Sequence, residues 1–321
     1  MGSISVRPAV HVLRIVLLAA FVAAAAFPAT PGELKGSVDR DSQKQPVAVA
    51  DLLKPCAAYC ERLSDAVLDF VCLERVNETV AELVIRRPLK NLNLAGWEDP
   101  GDYEGIAKNT DPATQAPEHV RARRKISSEF IYDYQLVQDR HGDLKETRNL
   151  IRENGRPVME KGASLKTQTF NYTYLIMGPA TLLGGERQNL FDYTVVKETT
   201  LGKDRAIIIN ATPKPRSSSG VLSGKVWIRK SDAAVLRIEW VPESIGNYER
   251  IMEVAKRIKA QPRLIMSTDF AFEKNGIRFP SRYTIWETYV PPAGAPLVRS
   301  TTEVTLSDYK YFTVQTSAEI R

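Results

Sequence analysis

The chain has 321 residues, with 44 Lys and Arg against 38 Asp and Glu, and a formal net charge of +6 at pH 7. Because the positive charges are scattered and not gathered into a stripe, the composition argues against a nucleic-acid-binding protein. The one dense basic cluster, at residues 121–125, is interpreted as a solvated entry to a strand.

The first 26 residues predict a secretory signal peptide. Arg7 and Arg14 give a basic start without acidic residues, and residues 15–26 are twelve consecutive apolar residues. Ala24 to Ala26 supply the small residues that a signal peptidase requires. Twelve residues are too few to cross a bilayer, which takes about 20, and an uncleaved anchor is the alternative. We therefore predict an exported protein, either periplasmic or secreted.

The three cysteines, Cys56, Cys60 and Cys72, fit the oxidising compartment that export implies, as one disulfide and one free thiol. Cys56 and Cys60 are four residues apart, and a bond within one regular helix has poor geometry. A bond from either of them to Cys72 is preferred, and Cys60–Cys72 is the pairing that we predict. No metal site is predicted, because His119 and His141 are the only histidines left after cleavage.

The N-terminal part of the mature chain is predicted to pass from a leader into a helix. Residues 27–50 are rich in Pro, Gly, Lys and Gln and predict a flexible leader. Apolar residues spaced three and four apart then predict an amphipathic helix over 51–67. Residues 86–120 lose all periodicity and contain many prolines and glycines, which predicts a loop insertion. Residues 51–321 are expected to form one domain around this insertion.

Strand signals follow one another closely from residue 70 to the C-terminus. Period-two alternation predicts about ten strands, and Asn-Gly pairs at 154–155 and 275–276 predict tight turns between them. Residues 70–80 fit either a strand or a longer helix, and the aromatic-rich stretch 166–177 is counted as a strand. Short connections imply antiparallel neighbours, so the predicted fold class is α+β.

The hairpin predicted at residues 220–240 is the centre of this sheet. Alternation places its large apolar side chains on one face and its charged side chains on the other. A short helix is predicted at 179–183, where a proline occupies the first turn. A second amphipathic helix at 247–260 directly follows the hairpin, so it can cover the apolar face.

The sequence contains no recognisable catalytic motif. It lacks a Gly-x-Ser-x-Gly elbow, and two histidines give little support to a His-based triad. Residues 220–225 have one residue too few between their glycines for a phosphate-binding loop. Glu239, Glu273 and Glu287 are interpreted as carboxylates on the charged face of the sheet, with a catalytic pair as the alternative. No enzymatic activity and no cofactor are predicted.

In the order of its elements, the chain resembles the lipoprotein-carrier superfamily of LolA-like periplasmic carriers, LppX-type lipid-binding lipoproteins and RseB-type sensor domains. The resemblance covers roughly residues 51–315. It rests on a helix that leads into Phe70–Val76, a proline-started helix before Phe191–Val196, and the hairpin formed by Gly224–Lys230 and Val235–Trp240.

This resemblance implies a strongly curved antiparallel sheet, an incomplete β-barrel, whose concave apolar face is covered by the helices at 51–67 and 247–260. The pocket between the sheet and the helices would hold acyl chains. On this chain the implied lining is Phe130, Tyr132, Tyr134, Val226, Ile228, Leu236, Ile238, Trp240, Ile251, Met252, Met266, Phe270, Phe272 and Trp286.

The predicted function is that of an exported, monomeric, non-enzymatic protein that binds or carries a lipid, acyl chains or a lipidated protein. Its contact with the membrane would be peripheral or transient, and its role would lie in outer membrane biogenesis. The alternative is an envelope interaction or sensor module of the same fold, with a filled core and no ligand. In that case the 86–120 insertion would be the surface for a protein partner.

Overall fold

The structure is a computed structural model that describes residues 48–68, 70–86, 119–139, 141–215, 221–245 and 248–312. The predicted signal peptide, nearly all of the predicted leader and nearly all of the predicted insertion lie outside these residues.

The described residues form three α-helices and 13 strands. The helices are α1 (Val49–Ala66), α2 (Gly178–Leu183) and α3 (Tyr248–Arg257). The strands are β1 (Phe70–Arg86), β2 (His119–Gln138), β3 (Leu144–Glu153), β4 (Arg156–Glu160), β5 (Phe191–Leu201), β6 (Asp204–Pro213), β7 (Gly224–Arg229), β8 (Val235–Trp240), β9 (Gln261–Asp269), β10 (Phe272–Lys274), β11 (Ile277–Phe279), β12 (Arg282–Val290) and β13 (Leu297–Tyr311).

Eleven strands form one antiparallel sheet in the order β4-β3-β2-β1-β13-β12-β9-β8-β7-β6-β5, and β10 pairs separately with β11. The chain meanders outward from β1 to β4, and later returns from β5 to β13, which pairs with β1. The edge strands β4 and β5 are not paired with each other, so the sheet stays open. The predicted α+β class, with an antiparallel sheet that does not close into a barrel, is confirmed.

The connection from β4 to β5 crosses the whole sheet, because these strands lie at opposite edges. It contains α2 and an irregular stretch at residues 163–174, which we call the strap. Phe170 and Tyr172 of the strap are only 6% and 0% exposed. The strap is therefore part of the core, and we call the face of the sheet that it covers the inner face.

The strand predicted at 166–177 is not formed, because side chains of the sheet bind the backbone of this stretch. The backbone N–H groups of Gln168 and Thr169 donate to the Glu78 carboxylate at 2.7 and 3.1 Å. Tyr174 adopts a left-handed conformation with φ of 53°, which ends the extended run. The Glu78 carboxylate therefore takes the place of the neighbouring strand that the alternation of aromatic residues predicts as the hydrogen-bonding partner.

The inner face of the β7–β8 hairpin is covered by α2, and not by α3 as its position in the sequence suggested. A Cβ added to Gly178, the first residue of α2, would lie 3.2 Å from the Trp240 ring and 3.3 Å from Ile238 Cδ1. The glycine thus allows the backbone of α2 to approach β8 directly. The Trp240 indole N–H donates to Thr268 Oγ1 at 3.0 Å, which fixes the ring beneath the helix.

A β-bulge in β8 changes which residue of the hairpin enters the core. Val226 pairs with Ile238, but the register shifts by one residue before Ile228, which pairs with Val235. Val235 is therefore a member of the core cluster, whereas Leu236 is not, although Leu236 is buried. The regular alternation that put Leu236 on the inner face is wrong at this position.

Helix α3 packs mainly against β9 and the short 3₁₀ helix at Pro242–Ser244. Its buried side is formed by Ile251 and Ala255, followed by Ile258 just after the helix. Met252, predicted to line a pocket, is 45% exposed on another side of the helix. Only one side of this ten-residue helix is thus anchored to the sheet.

Helix α1 covers the β10–β11 hairpin and contacts α2. Its buried side comprises Leu52, Cys56, Tyr59, Cys60 and Leu63. The Tyr59 hydroxyl donates to the carbonyl of Arg278 at 3.2 Å and accepts from the N–H of the same residue at 3.1 Å. This exchange fixes α1 on the smaller sheet.

All three cysteines are free and buried, and the predicted Cys60–Cys72 disulfide is not formed in the structure. Cys56 and Cys60 lie on the buried side of α1, whereas Cys72 lies on β1. Burial raises the pKa of Cys56 to about 12 and also raises the pKa of the other two thiols.

We expect the folded protein at pH 8 to resist alkylation by iodoacetamide, because burial excludes the reagent and disfavours the reactive thiolate. In denaturant without reductant, all three cysteines should be alkylated, as counted by intact mass. A single added group after unfolding would instead show that a disulfide had formed.

Candidate functional site

A buried cluster of charges joins β1 and β3 beneath the strap. Arg148 is 7% and Glu74 is 1% exposed. Arg148 donates from Nε and Nη2 to the two oxygens of Glu74 at 2.6 and 3.1 Å, and from Nη1 to Glu146 at 3.0 Å. Its guanidinium also lies 5.0 Å from the ring centre of Tyr134 and 5.6 Å from that of Tyr172. One arginine thus forms ion pairs with two carboxylates in a buried site of low dielectric constant.

The same cluster binds the strap. The Tyr172 hydroxyl donates to Glu74 at 3.1 Å, and the backbone N–H of Tyr174 donates to Glu146 at 2.6 Å. Burial raises the pKa of Glu146, because desolvation outweighs the opposing effect of Arg148. Both carboxylates are saturated by donors from the chain itself, so this part of the inner face is structural.

Ten of the fourteen residues predicted to line a ligand pocket belong to the core cluster. Each of them is at most 6% exposed. In this conformation nine of them contact other side chains and leave no room for an acyl chain beside them, whereas Ile251 also borders a cavity under α3. The ten residues are Phe130, Tyr132, Tyr134, Val226, Ile228, Ile238, Trp240, Ile251, Met266 and Phe270.

The other four predicted lining residues lie apart from this group. Leu236 is displaced by the bulge and Met252 is exposed, as described above. Phe272 belongs to the smaller sheet, where it stacks on a tyrosine of β13 with 4.6 Å between ring centres. Trp286 is half-buried on the face of β12 opposite to the buried Ile285. The structure does not bring these four to one site.

A cavity of about 290 Å³ lies between the strap, α3 and the strands β12 and β13. Of its lining residues, Phe170, Ile251 and Glu287 are buried, whereas Arg250 and Arg257 are exposed. The cavity therefore has its floor on the sheet and its mouth along α3. The complete lining is Gln168, Thr169, Phe170, Arg250, Ile251, Glu253, Val254, Arg257, Glu287 and Arg299.

The floor of the cavity is polar but internally neutralised. Glu287 is 2% exposed and accepts hydrogen bonds from Arg299 Nη1 at 2.8 Å and from Ser300 Oγ at 3.0 Å. The Tyr289 hydroxyl donates to its other oxygen. Arg299 and Glu287 thus form a partly buried ion pair whose charges cancel.

The wall that α3 contributes is amphipathic. Arg250, Val254 and Arg257 recur at spacings of four and three residues, so they share one side of the helix. Among the described residues, neither arginine forms an ion pair. The amphipathic pattern of residues 247–260 does not by itself reveal this site, because only the structure places the two arginines and Val254 beside a cavity.

The carboxylates considered as a catalytic pair have separate partners. Glu287 binds Arg299 in the cavity floor, whereas Glu273 accepts two hydrogen bonds of 2.9 Å from Arg229 near the β7–β8 turn. Within the ranges that the structure describes, no group of three or more His, Cys, Asp or Glu is arranged to hold a metal ion. In the same ranges no helix combines the length and apolarity needed to cross a membrane.

No protein-family model and no curated protein matches the chain. Solved structures that match include a DUF1329 family protein from Desulfovibrio piger, with 12% identity over 81% of this chain and 92% of that chain, and a TM-score of 0.33. A putative outer membrane lipoprotein-sorting protein domain from Vibrio parahaemolyticus has 9% identity, coverage of 85% and 95%, and a TM-score of 0.35. A LolA superfamily protein from Nitrosomonas europaea has 9% identity, coverage of 81% and 94%, and a TM-score of 0.31.

Two of these three are described by the LolA and lipoprotein-sorting names to which the sequence resemblance also leads. At such identities and TM-scores, nothing about ligand or activity is carried over from them to this chain.

Proposed function

We propose that the protein is an exported, non-enzymatic binding protein that holds a lipid or another ligand with an acyl chain in the cavity under α3. The observation that supports this proposal is the amphipathic lining of that cavity. Phe170, Ile251 and Val254 provide an apolar wall, and α3 provides a charged mouth. The remainder of the inner face then acts as permanent core and not as ligand surface.

The energetics of this site favour a chain that displaces α3 outward. The volume of 290 Å³ is at the lower end of small-molecule pockets, which start at about 300 Å³. Burial of apolar surface contributes about 25 cal/mol per Å². A longer acyl chain therefore gains binding free energy by extending under the helix. Helix α3 is suited to such movement because only a few apolar residues hold it on the sheet.

The test of this proposal is to purify the protein from its own cell envelope without detergent. We expect native mass spectrometry to show a bound mass, and organic extraction of the same sample to release a lipid in near-equal molar amount. Absence of lipid in both measurements, together with failure to bind an added fatty acid, would overturn the proposal.

A second function is favoured by the filled inner face. A sensor or interaction module of the same fold needs no ligand space, and the saturated Glu74–Arg148–Glu146 cluster fits a permanently closed core. Under this alternative the 86–120 insertion binds a protein partner in the envelope.

Deletion of residues 88–118 distinguishes the two functions. If the deletion abolishes capture of a protein partner, the interaction module is favoured. This holds whether the lipid content is unchanged or the protein held no lipid before the deletion. Retention of lipid, with no partner dependent on the insertion, is the result that we expect.

A further inference from the structure

We infer that the ligand carries an anionic group, a phosphate or a carboxylate, which Arg250 and Arg257 bind at the mouth of the cavity under α3. The inference rests on the proposed function for the location of the ligand. It adds the chemical class of the head group, which the apolar wall alone does not specify.

The two arginines flank the apolar wall along α3. They are seven positions apart, which corresponds to about 10 Å along a helix axis. Val254 lies between them on the same side. A chain that passes Val254 toward Ile251 and Phe170 would leave its head group at the exposed end of the cavity, within reach of either guanidinium.

The charges of the lining leave a positive excess at this mouth. Three arginines and two glutamates line the cavity, and the floor pair Glu287–Arg299 is neutral through its 2.8 Å bond. Arg250 and Arg257 then face a single carboxylate, that of Glu253, which is exposed like them. Because this excess positive charge is exposed, an anion can reach it without being transferred into the buried interior, which would cost its desolvation.

Arginine is well suited to this role. Its planar guanidinium presents paired donors that match the oxygens of phosphate and carboxylate groups. Because the two arginines border a cavity of about 290 Å³ with an apolar wall, the arrangement fits a small amphiphile better than an extended acidic surface.

The experiment compares three probes by isothermal titration calorimetry, with the amphiphiles below their critical micelle concentrations: decyl phosphate, decanol and inorganic phosphate. We expect the wild-type protein to bind decyl phosphate about tenfold or more tightly than decanol, a difference of about 1.4 kcal/mol. The preference should weaken as salt is raised, because the arginines are exposed. Inorganic phosphate should compete only weakly, since it lacks the chain.

The decisive variant is the double substitution Arg250→Gln/Arg257→Gln, which should bind the two decyl probes with equal affinity. The matched control is Lys256→Gln/Lys259→Gln, which removes the same charge from exposed positions outside the cavity lining. We expect this control to keep the wild-type preference.

Equal affinity of the wild-type protein for decyl phosphate and decanol would overturn the head-group inference and leave the proposed function intact. Strong competition by inorganic phosphate would show a site for the free anion and would also overturn it. Failure of both decyl probes to bind would contradict the proposed function itself.

Discussion

The variant Val254→Trp should lose its bound lipid while remaining folded. Val254 is a half-buried residue of α3 in the cavity wall, and an indole at this position would occupy much of the 290 Å³ that the proposed ligand needs. We expect at least tenfold less lipid in organic extracts of the purified variant. Its free energy of unfolding should fall by no more than about 1–3 kcal/mol, the cost that is typical of overpacking.

The matched control is Met252→Trp. Met252 lies on the same helix but is 45% exposed and is not part of the cavity lining. The control adds the same ring to α3, and we expect it to retain the lipid content of the wild-type protein. Equal lipid content in the two folded variants would place the ligand elsewhere or show that none is bound.

The variant Arg148→Met should lower the free energy of unfolding by about 3–5 kcal/mol, the cost of leaving buried charges unpaired. Arg148 is the cation that the carboxylates of Glu74 and Glu146 share. Denaturant unfolding followed by circular dichroism measures this loss. Because the cluster also binds the strap, we expect the strap to become accessible to proteases in the same variant.

The control for this prediction is Arg282→Met, which removes an arginine from an exposed ion pair of 2.9 Å with Glu303. Surface pairs of this kind contribute about 0–1 kcal/mol, so its effect should be small. Equal effects of the two substitutions would show that the buried cluster contributes no more than a surface pair.

The pH dependence of the Arg148→Met variant gives an independent check. Burial already raises the pKa of Glu146 above its ordinary value, and loss of the neighbouring cation should raise it further. In the variant, folded Glu146 binds a proton that the unfolded chain releases, so stability falls as the pH rises above about 4.3. The deficit relative to wild type should therefore be smaller at pH 4 than at pH 8.

The sequence was sufficient to predict the hairpins, because their signals are local. Asn154 and Gly155 adopt φ values of 48° and 78°, and Asn275 and Gly276 adopt 51° and 74°, as tight turns of this kind require. The β7–β8 hairpin follows from alternation over two short runs. These features depend on the conformations of a few adjacent residues and not on distant contacts.

The strap could not be predicted from its own residues. The alternation of Phe170, Tyr172 and Tyr174 is what a strand would show, and the acceptors that bind its backbone belong to distant β1 and β3. A usable signal was present in β1, where Glu74 and Glu78 occupy positions on the apolar face. Buried carboxylates at such positions require donors from elsewhere in the chain.

The location of the candidate site depends on the order of the strands in the sheet, and nearness along the sequence does not reveal that order. The helix after the hairpin was expected to cover it, but the connection between opposite edge strands brings α2 to that place and leaves α3 at β9. As a result, Ile251 is the one predicted lining residue that borders the cavity under α3, nine of the others are core, and the remaining four lie elsewhere.

The most direct test of the ligand's location is photo-crosslinking with a fatty acid that carries a diazirine near the end of its chain, followed by peptide mass spectrometry. Our account predicts adducts on the peptides that contain Phe170 of the strap and Ile251 or Val254 of α3. Adducts concentrated on β7 and β8, around Val226 and Ile238, would instead show that the apolar chain enters the core beneath α2, and would contradict the proposed site.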